Sequence, residues 1–197
     1  MIFTKTEIKA LELFTSRVLD SFTIRETARI IHKDLKIVHT SIQTLIQKEM
    51  LIKDKKEIRL NYKTNWTDLA YIENIRKEEF LRKNTLIKIC IDRFLSQTKN
   101  KMFSLIIFGS YASNTNTKKS DIDILAILPQ EDEQFERQLS ASLSTLKTHI
   151  TTITTDSFKE MLNKRDEMNL INETMNKHIL LYGAEQYYAL LGERDVR

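Results

Sequence analysis

At 197 residues and 23.2 kDa the chain can hold one generous domain or two small ones, each able to bury a core without disulfides. Its 41% hydrophobic and 29% charged residues lie in the globular range and exclude a disordered chain, and no run approaches the ~20 apolar residues of a membrane helix, so a cytoplasmic protein without membrane contact is expected. The net charge of +4 is unevenly placed: residues 1–65 hold 13 Lys and Arg against 8 Asp and Glu, the remainder 18 against 19, so any polyanion partner belongs to the first third.

Thr6 reads as the cap of a first helix carrying Ile8, Leu11, Phe14 and Val18 at helical spacing, and Thr23 as the cap of a short second one through residue 32. A turn at Lys33 and Asp34 leads to a third helix over residues 35–49, with Leu35, Val38, Ile42, Leu45 and Ile46 inward and Lys36, Thr40, Gln43 and Thr44 outward. Residues 51–62 read as two short strands with a charged tip. Residues 66–97 lack Gly and Pro and predict one long helix, or two broken near Asn84 and Thr85. Cys90, the single cysteine, falls on its apolar face as a small buried hydrophobe.

Two apolar runs, residues 102–108 and 122–128, are short enough to be buried strands. Residues 131–146 predict a helix, 149–155 a β-branched strand, and Asp156 a cap for a helix reaching residue 164. Residues 170–182 and 185–191 predict two closing helices, with Gly183 and Gly192 as C-terminal caps. Strands alternating with helices give an α/β (α+β) fold class.

The chain has only three glycines, and Gly109 ends a strand rather than a helix. In Phe108-Gly109-Ser110 a missing Cβ and free backbone N–H groups let a phosphate approach, with the Ser110 hydroxyl as a further donor. In Ser120-Asp121-Ile122-Asp123 the two carboxylates stand two apart on a strand, so they share one face while Ile122 points into the core. Such a pair suits Mg2+, which takes one or two carboxylates and fills its other positions with water and phosphates.

These residues resemble the nucleotidyltransferase superfamily related to DNA polymerase β, above all its minimal branch: an apolar strand, Gly-Ser, a loop, then Ser-Asp-apolar-Asp in a second strand. Gly109 and Asp121 lie twelve positions apart, as that branch spaces them. The resemblance implies that Gly109, Ser110 and Ser120 bind a nucleoside triphosphate, and that Asp121 and Asp123 are catalytic and ligate Mg2+. The reaction implied is attack by an acceptor hydroxyl, on a protein or a small molecule, on the α-phosphorus with release of pyrophosphate. Active members carry a third carboxylate on the next strand. Here that strand holds no acid, and the expected position falls on Thr151; His149 is a weaker candidate for a base, and no zinc site is expected from His32, His39 and His178.

Residues 1–65 similarly resemble the winged helix-turn-helix regulators. That implies double-stranded DNA as partner, met by Arg25, Lys36, Thr40, Gln43 and Thr44, with Lys53, Lys55, Lys56 and Arg59 of the wing on the backbone. Three segments follow: a DNA-binding domain (1–65), a helical linker (66–98) able to carry a homodimer, and a nucleotidyltransferase domain (99–197). The architecture resembles prokaryotic, especially archaeal, proteins of this kind. Two alternatives to an active transferase stay open: a transcriptional regulator whose degenerate domain senses nucleotide or binds a partner, and the antitoxin-type member of a toxin-antitoxin pair.

Overall fold

Threonine followed three residues later by glutamate starts each of the first two helices. The computed structural model describes residues 2–164 and 170–193. In it α1 (Lys5–Ser16) is capped by Thr4, not Thr6: Thr4 Oγ1 accepts from Glu7 N at 3.2 Å and Glu7 Oε2 accepts from Thr4 N at 3.1 Å. The reciprocal pair satisfies two free donors, which Thr6 could not do without shortening the helix. α2 (Ile24–Ile30) repeats the device with Thr23 and Glu26, and Asp34 caps α3 (Leu35–Gln47) through Lys36 N and Ile37 N.

With no glycine available, α2 and α3 close on His32 and Glu49, both at positive φ (52° and 58°). Lys33 N then donates to Ala28 O at 3.0 Å and Met50 N to Leu45 O at 2.9 Å, the bonds of a helix-ending reversal usually given to glycine. β2 (Leu51–Asp54) and β3 (Glu57–Leu60) form the expected antiparallel hairpin, with Lys55 at φ 53° in its turn. A two-residue strand, β1 (Ser21–Phe22), adds to its other side through Ser21↔Arg59 and Phe22↔Ile58. Two residues are too few to carry an alternation signal in sequence.

α4 (Trp66–Lys83) and α5 (Thr85–Gln97) break at Asn84, whose Nδ2 donates to Phe80 O at 2.9 Å. Then follow β4 (Ser104–Phe108), the single turn α6 (Gly109–Ala112), β5 (Ile122–Leu128), α7 (Glu133–Ser142), β6 (Thr148–Thr154), α8 (Thr155–Asn163), α9 (Leu170–Asn176), β7 (Ile179–Tyr182) and α10 (Ala184–Gly192). The second sheet has the order β6-β5-β4-β7; β5 and β6 are parallel, the other neighbours antiparallel. The fold is mixed, α+β, as its alternating elements predict.

Residues 179–182 are therefore a strand, where the sequence predicts a helix. Ile-Leu-Leu-Tyr is too short to show a period, and its pairing with β4 satisfies a sheet edge that no local pattern records. Gly183 correspondingly caps no preceding helix. It sits at φ 73° and leads into α10, and a Cβ there would overlap the carbonyl oxygen of Phe103. Gly192 is the last residue of α10 and has no positive φ.

One face of the second sheet, through Ile106, Phe108, Leu125 and Ile127, shares a continuous buried cluster with Leu11 and Phe14 of α1, Leu69 and Ile72 of α4, and Tyr187 of α10. The other face, through Leu105, Ile107, Ile122 and Ile124, packs on Cys90, Ile91 and Phe94 of α5 and Phe135 of α7. Each fully buried side chain of this size contributes ~1.5–3 kcal/mol. Where α1, α4 and α10 converge, Arg76 Nη1 lies 2.5 Å from Glu73 Oε2, and Arg76 also donates to the His178 carbonyl. The Tyr188 hydroxyl donates to Glu73 Oε1 at 2.7 Å. Burial raises the Glu73 carboxyl, an effect Arg76 opposes, and holds the His178 imidazole well below its ordinary range, hence neutral.

Gly183→Ala should lower unfolding stability by roughly 2–4 kcal/mol, because the methyl meets backbone and φ is unfavourable. Gly192→Ala, whose added Cβ finds its nearest neighbour at 3.5 Å, should be neutral or slightly stabilising. Urea titrations of both variants check this; equal effects would refute the distinction.

Candidate functional site

β4 ends at Phe108, and the chain turns through Gly109 at φ 67° into α6. Phe108 is the register partner of Asp123 on β5, so the turn lies directly against that carboxylate. A Cβ on residue 109 would overlap Asp123 Oδ2. Glycine is thus required twice, for the backbone conformation and for the carboxylate. Ser110 follows with its hydroxyl in no hydrogen bond among the described residues, while its carbonyl accepts from Thr115 N at 2.9 Å. Ser113 Oγ donates to Gly109 O at 2.9 Å and braces the turn.

Asp121 immediately precedes β5 and Asp123 lies within it. Ile122 between them is 2% exposed and turned into the core against α5 and α7, as alternation requires. The structure brings Gly109, Ser110, Asp121 and Asp123 to the same end of the sheet. Ser120 stands beside them, but its Oγ accepts from Thr117 N at 2.9 Å, so in this state the hydroxyl shapes the loop.

The neighbouring strand supplies two residues of opposite character. Ile122 N donates to Lys147 O at 2.9 Å, and Lys147 Nζ lies 2.5 Å from Asp121 Oδ1. That oxygen is screened from solvent and makes no hydrogen bond, so the ammonium holds it as an ion-pair partner without a directional donor. His149 is the register partner of Asp123, with Nδ1 3.8 Å from Asp123 Oδ1. Thr151 pairs one step further on, with Leu125. The position beside Asp123 is therefore held by His149, and Thr151 stands two residues further along the same strand. Neither residue is an acid. Lys147 escaped sequence reading because only the parallel register of β6 on β5 brings it to Asp121.

Asp156 does not cap α8, contrary to the sequence expectation. The cap is Thr154, whose Oγ1 accepts from Ser157 N at 3.1 Å, and Asp156 sits exposed in the first turn. Thr154 ends the strand in extended backbone, the conformation a cap needs.

A divalent ion fits this donor set. Two carboxylates stand at one strand end, one paired only with the mobile-stemmed Lys147 ammonium and one directly against the Gly109 turn, where no Cβ intervenes. Asp121 and Asp123 would hold it, and the ion would supply charge neutralisation and orientation of phosphates. Among the described residues no group of three or more His, Cys, Asp or Glu side chains is placed to hold a metal. The donor set thus suits an ion that completes its shell with nucleotide oxygens and water. An apolar hollow lined by Met102, Phe103, Ile127, Pro129 and Leu190 lies at the other end of the strands, with no such groups.

In the first 65 residues, Arg25, Lys36, Thr40, Lys53, Lys55, Lys56 and Arg59 are exposed, and Gln43 and Thr44 half-buried. On α3, Lys36, Thr40, Gln43 and Thr44 keep one stripe, joined by exposed His39, which periodicity alone did not single out. Leu35 and Ile37 are also outward, 45% and 53% exposed; for Leu35 this reverses the inward expectation, since the first turn of α3 projects beyond the core. Thr40 Oγ1 donates to Lys36 O and Thr44 Oγ1 to Thr40 O, so both hydroxyls are engaged by their own helix. Arg25 shares a shallow hollow with Arg29, His32 and Lys33.

Residues 85–171, from the start of α5 into α9, match the family model described as nucleotidyltransferase domain. That match covers the Gly-Ser turn, both aspartates and β6, and supports a nucleotidyltransferase-type domain in this part of the chain. No curated protein and no solved structure matches the chain. Among the described residues no helix is long and apolar enough to cross a membrane.

Gly109→Ala should cost about 1–3 kcal/mol through the positive φ and the displaced Asp123 carboxylate. Chemical denaturation would show it; an unchanged midpoint would mean the turn relaxes freely.

Proposed function

We propose that residues 99–197 form a nucleotidyltransferase-type site that takes a nucleoside triphosphate with Mg2+, and that residues 1–65 form a winged helix-turn-helix domain that binds double-stranded DNA, the two joined by the helices of residues 66–98. The observation that carries the first half is Gly109 backed directly on Asp123, which sets a phosphate cradle and a metal-binding carboxylate side by side. Ser110 donates to the triphosphate. Asp121 and Asp123 hold the ion, and the acceptor hydroxyl of a protein or small molecule attacks the α-phosphorus in line, with pyrophosphate leaving.

A second reading rests on β6. With Lys147 and His149 facing the aspartates and no acid on the strand, the described residues supply no third carboxylate to complete a two-metal arrangement and accept the hydroxyl proton. Each oriented charge at such a centre is worth several kcal/mol of barrier. Under this reading the nucleotide is held as a signal and the DNA-binding domain reports it.

Incubation with labelled ATP, Mg2+ and candidate acceptors separates the two. Label transfer abolished in Asp121→Asn/Asp123→Asn supports the transferase, whereas saturable binding without transfer supports the sensor. Absence of binding in the parent protein removes both.

For the DNA half, α3 offers Lys36, His39 and Gln43 to base edges, with the Thr40 and Thr44 methyls suited to apolar contact in the major groove. Asp54 and Glu57 dilute the wing's charge, so binding should be moderate and fall with salt. Lys55→Ala/Lys56→Ala should reduce the slope of log affinity against log salt by roughly 0.9 for each phosphate no longer neutralised. Fluorescence anisotropy over a salt series measures it, and affinity independent of salt would exclude this face. Exposed Tyr71, Leu86 and Ile89 on α4 and α5 support a homodimer through residues 66–98.

A further inference from the structure

Lys147 is tied by its backbone to Ile122, the residue between the two aspartates, yet its side chain is 74% exposed and its ammonium rests on Asp121. The ammonium has no other described partner. An exposed ion pair of this kind contributes little to folding, of order 0–1 kcal/mol, so stability does not account for a cation set on a metal-binding carboxylate. A four-carbon stem with free rotamers lets the charge turn from the carboxylate to any anion arriving at the Gly109 cradle. His149, 3.8 Å from Asp123, extends the basic character of this strand beside the acids.

We infer that Lys147 is a triphosphate-binding residue that replaces part of the metal charge: without nucleotide it neutralises Asp121 and competes with Mg2+, and with nucleotide it moves to the phosphates. The inference rests on the nucleotide-binding reading given above. The charges make the logic specific. Two carboxylates attract a free divalent ion and repel a polyanion; one ammonium set on Asp121 opposes the first and offsets the second. The site consequently favours nucleotide over free metal, and it retains affinity for nucleotide when no metal is present. A lysine that merely decorates the surface has neither effect.

Lys147→Ala therefore shifts two affinities in opposite directions. Mn2+ binding without nucleotide, followed by electron paramagnetic resonance, tightens about three- to tenfold, and ATP binding in EDTA, followed by calorimetry, weakens about tenfold, magnitudes that belong to one partly exposed charge. Lys147→Arg keeps both affinities near those of the parent. The inference is overturned if Lys147→Ala leaves either affinity unchanged, or moves both the same way, while the parent protein still binds Mg·ATP through Asp121 and Asp123. A parent protein that binds ATP under neither condition overturns the nucleotide-binding reading itself, a result distinguishable from the first.

Discussion

The placement of one part of the protein on the other depends on a charge buried in α4. Arg76 reaches the Glu73 carboxylate on its own helix, the His178 carbonyl just before β7 and, at 3.5 Å, Thr15 Oγ1 at the end of α1. Tyr188 of α10 closes the network on Glu73. A guanidinium and a carboxylate removed from water are costly unless each finds several partners, and these partners come from α1, α10 and the approach to β7. Satisfying the pair thus fixes where the helices stand on the sheet. The same arrangement closes a continuous apolar cluster from Phe14 to Phe108 and Tyr187. The helix α3 and the Gly109 turn thus belong to elements joined by one continuous core.

Much of this was legible in the sequence because its signals were local. The periodicity of α3, the break at Asn84, the apolar runs of β4 and β5, and the alternation that turns Ile122 inward are properties of neighbouring residues. The Gly-Ser turn and the aspartate pair were legible for the same reason, and in a chain with three glycines Gly109 stood out. What escaped was set by partners distant in sequence. β7 exists because β4 offers an edge, and β1 because β3 does. Lys147 meets Asp121 and His149 meets Asp123 only through the register of two parallel strands, which no spacing along the chain encodes.

Scarcity of glycine also leaves a mark on the backbone. His32, Glu49, Lys55 and Asn114 occupy left-handed conformations that glycine commonly fills, at a cost of about 1–2 kcal/mol each. The two positions where a side chain would meet other atoms, Gly109 and Gly183, keep glycine. Exposed reversals absorb conformational strain, whereas strand ends packed against another group cannot absorb volume.

The parallel pairing of β5 with β6 has a consequence for the order of assembly. An antiparallel neighbour such as β4 can close on β5 through a loop, but a parallel neighbour requires the chain to cross back through α7 before its first rung forms. Loop-closure entropy makes such pairings slow relative to local structure. Loop closure therefore favours pairing of β4 with β5, and placement of the aspartates, ahead of the basic residues that face them. Until β6 docks, the site holds its two carboxylates without Lys147 or His149, so its final charge balance depends on that one parallel pairing.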